Sequence, residues 1–102
     1  MARFDVYRVK NRAGALVVDV QSDLLEDLTS RVVIPLAPVE PDRAEALPRL
    51  KPSLVVDGVE YTLLTTDIAA RPTSRFGERV GNVEDRYRDV IVAAMDFLFQ
   101  GF

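Results

Sequence analysis

Five of the chain's six prolines, Pro35, Pro38, Pro41, Pro48 and Pro52, fall between residues 35 and 52. Proline lacks the backbone N–H and locks φ, so this stretch is expected to hold no long regular element and to run as a loop or edge segment. It reads as a boundary between sub-units of one fold, and regular structure must come from short pieces on either side. Upstream, Phe4-Asp5-Val6-Tyr7-Arg8-Val9 alternates apolar and polar side chains, the pattern of a half-buried strand. Asn11-Arg12-Ala13-Gly14 makes a turn into Leu16-Val17-Val18-Asp19-Val20, which is rich in β-branched residues and forms a hairpin partner. Asp23–Leu28 connects to a third strand, Arg31-Val32-Val33-Ile34, which Pro35 is expected to end. Downstream, Leu54-Val55-Val56 and Val59–Leu64 flank Asp57-Gly58, the dipeptide that a type I′ hairpin turn prefers. A short extended piece at Ile68-Ala69-Ala70 is cut by Pro72, and the polar Thr73–Gly77 stretch leads toward a closing helix.

That helix starts near Val83, with Asn82 as N-cap and Glu84 and Asp85 at the positive end of its dipole. At 100° per residue Tyr87, Ile91, Ala94 and Leu98 share one line, while Met95, Phe99 and Phe102, with Val92, form a second. The wide apolar arc implies two apolar neighbours, one of them another chain; a frayed last turn that tucks its aromatics into the core fits equally well. Gly101 suits a helix C-terminus, where positive φ is common. Short antiparallel strands plus one C-terminal α-helix predict a mainly β fold: a small, twisted sheet or partly open barrel with the helix packed across it. At 102 residues the chain is expected to be one domain, residues 1–102.

Composition removes many function classes. With no cysteine and no histidine there is no thiol nucleophile, no disulfide framework, no histidine base and no ordinary zinc site, so no catalytic residue, metal or cofactor is expected. A net charge of -3 argues against direct nucleic-acid binding by the chain alone. No apolar run approaches a membrane span and the N-terminus carries no secretory h-region, so a cytoplasmic protein with a protein or small-ligand partner is expected.

The local clusters read mostly as surface. Asp19, Asp23, Glu26 and Asp27 form the densest acidic group, without calcium-loop spacing, and are expected to be solvated loop residues. Arg71, Arg75 and Arg79, spaced by four, would make a cationic strip for phosphate or carboxylate, partly neutralised by Glu78, Glu84 and Asp85. Gly77 and Gly81 form no phosphate loop, and Ser22, Ser30 and Ser74 lack a nucleophile signature.

Four separated blocks carry a resemblance: Val18–Leu25, Arg31–Leu36, Leu64–Ala69 and Phe97–Phe102, with Phe4-x-Val6-Tyr7 ahead of them. In order and spacing, over essentially the whole chain, they resemble the CcdB family of the CcdA/CcdB toxin-antitoxin pair. The resemblance implies an SH3-like, CcdB-type barrel that forms a homodimer. It implies a non-enzymatic toxin that binds the A subunit of DNA gyrase and traps the cleaved-DNA complex. A disordered arm of a CcdA-like antitoxin would neutralise it, the pair regulating its own transcription. Carried across, the gyrase-binding positions are Leu24, Leu25, Asp96, Phe99, Gln100, Gly101 and Phe102.

The family's best-known form ends Trp-Gly-Ile, whereas this chain has Gln100 at the Trp position, and Asp96 where an Asn is expected. Loss of an interfacial Trp weakens binding by about 2 kcal/mol or more. An inactive relative kept as an antitoxin-binding or regulatory partner is therefore an alternative. An mRNA-cleaving toxin like MazF and Kid is another, disfavoured by the acidic balance and the missing histidines.

Overall fold

In the computed structural model, residues 1–40 and 47–101 are described; Pro41 and Phe102 lie outside them. Among the described residues seven strands run β1 (Asp5–Val9), β2 (Leu16–Asp19), β3 (Ser30–Pro38), β4 (Ser53–Val56), β5 (Val59–Leu63), β6 (Ala69–Pro72) and β7 (Phe76–Asn82), closed by helix α1 (Glu84–Gln100). All pairings are antiparallel. The spatial order is β4-β5-β3-β2-β1-β7, with β6 also on β3. The expected class, mainly β with a C-terminal helix, holds: the sheet is a curled half-barrel of the SH3-like kind. No helix of the described residues is long and apolar enough to cross a membrane.

The curl follows from chain length. Along β6-β3-β2-β1-β7 the outer strands are four spacings apart, about 19 Å in a flat sheet. Yet Pro72 and Phe76 are joined by only Thr73-Ser74-Arg75, a 3₁₀ turn, and four Cα steps reach at most about 14 Å. The sheet must therefore bend until β6 and β7 meet. Register shifts in the β1–β7 ladder, between Val6 and Tyr7 and between Tyr7 and Val9, supply bends of the kind bulges give.

Strand alternation then splits the side chains between two faces. Val6, Val18, Ile34 and Leu36 point to one side, where they are buried with Leu54, Val56, Leu63, Val83, Ile91 and Ala94. This is the helix face. Val17, Val33 and Phe76, with Tyr7 and Val9 against them, form a smaller cluster on the concave face.

Pro35 does not end the third strand, which runs on through Pro38. Its neighbour changes there: β6 covers β3 up to Val33, and β5 takes over at Leu36. A residue's N–H and C=O point to the same side of a strand, and the Pro35 carbonyl accepts from the Leu64 N–H at the junction, 2.9 Å. Its missing N–H thus faces a gap between two ladders, where none is needed. The Thr73–Gly77 segment also departs from expectation, because β7 begins at Phe76 and runs seven residues on β1 despite its two glycines. Pairing with a central strand overrides weak local propensity.

Other signals fold as read. Asp57 and Gly58 both take positive φ (50° and 77°), the type I′ requirement. Asn82 Oδ1 accepts from the Glu84 N–H at 2.9 Å, although Val83 is the residue flanking the helix. Gly101 ends α1 with φ 81°, its N–H donating to the Phe97 carbonyl.

Candidate partner-binding surface

Between β2 and β3 the chain makes a single 3₁₀ turn, Asp23–Leu25, capped by Ser22, whose Oγ accepts from the Leu24 N–H. This turn is tied down on several sides. The Gln21 amide donates to the Leu25 and Ser30 carbonyls, and its Oε1 accepts from the Val32 N–H. Asp23 Oδ1 accepts from the Arg3 N–H at 2.7 Å and lies 3.9 Å from the Arg31 guanidinium. Beneath it, Arg31 donates through Nε and Nη2 to one oxygen of Asp19, at 2.8 and 2.7 Å, with side-chain exposures of 1% and 0%. Asp19 therefore is not a solvated loop residue; it is a buried counter-ion whose other oxygen accepts from the Gln21 N–H. Burial pushes the Asp19 carboxyl above its ordinary range, against the pull of Arg31 and of that N–H.

The pinned turn displays apolar side chains outward. Leu24 is 94% exposed, and Leu25 and Leu28 are about half exposed. A turn whose backbone is held by the Gln21 and Ser22 side chains, and that leaves leucines in water, fits a recognition surface better than a packing role. Leu28 was missed in the sequence; the spacing Leu24-Leu25-x-x-Leu28 in an acidic loop was the available signal.

The second group lies on the last turns of α1. Ile91 and Ala94 are buried, while Tyr87 and Leu98 are half-buried, so the first stripe of the helical wheel is the core stripe. Val92 and Met95 also pack on the main core, so the second stripe divides: its early members share the first neighbour, and Phe99 is 68% exposed. The aromatics of the last turn are not all tucked in. Phe97 lies under the Arg49 guanidinium, 4.7 Å from the ring centroid. Asp96, Gln100 and Gly101 are exposed, and Phe102 lies outside the described residues.

The two groups are not joined within one chain. Leu24 and Leu25 hang from a turn tied to Arg3, and the adjacent Phe4 carbonyl accepts from Val83 N–H where the helix begins. Phe99 sits at the far end of that 17-residue helix, about 25 Å along its axis. No hydrogen bond or ion pair among the described residues links the groups.

The arginine strip also comes apart. Arg79 donates to Asp5 Oδ1 at 2.9 Å, whereas Arg71, opposite Arg31 in the β3–β6 ladder, and Arg75 line a cavity that Arg79 does not. Asp5, expected to face water by alternation, is buried and also accepts from the Ala2 N–H, the Tyr7 hydroxyl and the Asn82 amide. Burial would raise its carboxyl, but the donors Asn82, Ala2 and Arg79 outweigh that and hold it below the ordinary range. No group of acidic side chains among the described residues is arranged to hold a metal ion.

One solved structure, an endoribonuclease in complex with its cognate antitoxin from a mycobacterial species, is similar in fold, with a TM-score of 0.76 over 94% of this chain and 91% of that one, at 15% identity. The family model described as CcdB protein matches residues 3–101, and the chain belongs to that family of toxin-antitoxin toxins.

Proposed function

We propose that this chain is the toxin of a type II toxin-antitoxin module that acts as a homodimer. It would bind the A subunit of DNA gyrase, trap the gyrase–DNA cleavage complex and be neutralised by a CcdA-like antitoxin. Membership of the CcdB family supports the reading. The observation that carries it is the display of Leu24 and Phe99, 94% and 68% exposed, at positions the family resemblance assigns to gyrase. Leu25, Asp96, Gln100, Gly101 and Phe102 complete the proposed surface. Because one chain holds the two groups apart, a dimer would let one protomer's turn and its partner's helix end meet gyrase together.

The test is a DNA-cleavage assay with purified gyrase, ATP and supercoiled plasmid. The intact chain is expected to accumulate linear, gyrase-bound DNA. Phe99→Ala should abolish it while shifting stability by no more than about 0.5 kcal/mol, as for an exposed position, and removal of residues 101 and 102 should abolish it as well. Cleavage that survives Phe99→Ala would detach the helix end from the activity. No cleavage by the intact chain would favour the inactive antitoxin-binding relative, the reading that the exposed Gln100 and Asp96 keep open.

A further inference from the structure

The concave face holds a cavity of about 250 Å³, lined among others by Arg12, Arg71, Arg75 and Asp67. Its floor is apolar, made by Val17, Val33, Pro35 and Phe76. Three elements bring the arginines together. Arg12 stands in the β1–β2 turn, Arg71 on β6, and Arg75 in the 3₁₀ turn that draws β6 to β7. The closure that curls the sheet thus also builds the cationic rim. Arg71 donates through Nη1 to the Ala70 carbonyl, and among the described residues none of the three has a carboxylate within ion-pair distance. Three arginines and one aspartate therefore line the cavity, in a chain whose net charge is -3.

Unpaired like charges around one cavity repel one another, and a bound anion relieves that. The floor decides which anion. A carboxylate side chain would use the rim and leave the apolar floor empty. A nucleotide brings both halves: a planar base for an apolar surface and a phosphate for guanidinium forks. Asp67 is placed to accept from a ribose hydroxyl or a base amine.

We propose that this cavity is a nucleotide-binding site that takes one ribonucleotide, its base on Val17, Val33, Pro35 and Phe76 and its phosphate on Arg12, Arg71 and Arg75. The site lies apart from Leu24 and Phe99 and does not depend on the gyrase reading. The nucleotide is either free or part of a single-stranded RNA.

The purified full chain is titrated by calorimetry at low salt with adenosine and guanosine 5′-monophosphate, with the matching nucleosides, with inorganic phosphate, and with a five-residue single-stranded RNA. Saturable binding of at least one monophosphate is expected at one per chain, at least tenfold tighter than its nucleoside or phosphate. Arg71→Ala and Arg75→Ala, both at exposed side chains, should each weaken it at least fivefold, and Arg86→Ala on α1 should leave it unchanged. Amide chemical-shift changes should centre on Val17, Val33 and Phe76. Tighter binding of the RNA, displaced by the monophosphate, would mark a strand as the source; monophosphate binding without RNA binding would mark the free nucleotide. The proposal is overturned if neither binds saturably, if the arginine variants bind as well as the parent chain, or if a hexaglutamate peptide binds more tightly than any nucleotide.

Discussion

The two faces of the sheet are built from alternate residues of the same strands, yet they are held together differently. On the helix face Val6, Val18, Ile34 and Leu36 meet Ile91 and Ala94 in one apolar cluster. On the concave face the neighbouring positions Asp5, Asp19 and Arg31 are as deeply buried as the valines beside them. Apolar burial is roughly additive and stabilises in proportion to area. A buried ion pair gives little net stability, because desolvation offsets the Coulomb attraction, but it is intolerant of losing either partner. The helix face therefore supplies most of the stability. The concave face fixes geometry, with Asp19 and Arg31 under the Leu24 turn and Asp5 tying β1 to β7.

The two carboxylates sharpen the contrast. Asp19 is shifted up, so its contribution favours the fold at low pH and is lost as pH rises through its folded value. Asp5 is shifted down, so its contribution is present at neutral pH and is lost as pH falls through its folded value.

The largest effect is expected from Arg31→Met, which strands the Asp19 charge and should cost about 4 kcal/mol in urea unfolding. Adding Asp19→Leu should recover most of that loss. A single variant close to the parent in stability would mean the concave face is not the intolerant one. Ile91→Ala on the helix face should cost about 3 kcal/mol, and no second substitution at a polar position should rescue it. Next comes Asp5→Asn, which should cost about 2 kcal/mol at neutral pH through lost charge-assisted bonds. Its deficit should shrink as pH drops below the ordinary carboxylate range; a deficit independent of pH would show that the charge of Asp5 is not what β7 uses. The smallest change is a gain. Thr65 is fully buried and its hydroxyl has no hydrogen-bond partner among the described residues, so Thr65→Val should raise stability by about 1 kcal/mol in thermal melts.

Local signals were legible where a residue's own conformational preference decides the outcome. Asp57-Gly58 made its hairpin, Gly101 its left-handed cap, and Tyr87, Ile91, Ala94 and Leu98 their core stripe. The displayed residues Leu24, Leu25 and Phe99 were legible through family resemblance, and composition alone would have put leucine and phenylalanine inside. Pro35, β7 and Asp19 were misread for a shared reason. Each depends on a strand from elsewhere in the chain: the switch from β6 to β5, the β1 edge, and Arg31 twelve residues away. Arg12 was passed over as a turn residue, because nothing local connects it with Arg71 and Arg75.

Alternation, turn chemistry and helical periodicity determined the element types and the face each apolar residue takes, since these follow from φ/ψ preference and side-chain period over a few residues. The tertiary structure decided which polar residues are buried, which arginines are paired, and that a cationic cavity exists. Those outcomes depend on distances across the curled sheet, and the three-residue link between β6 and β7 sets the curl.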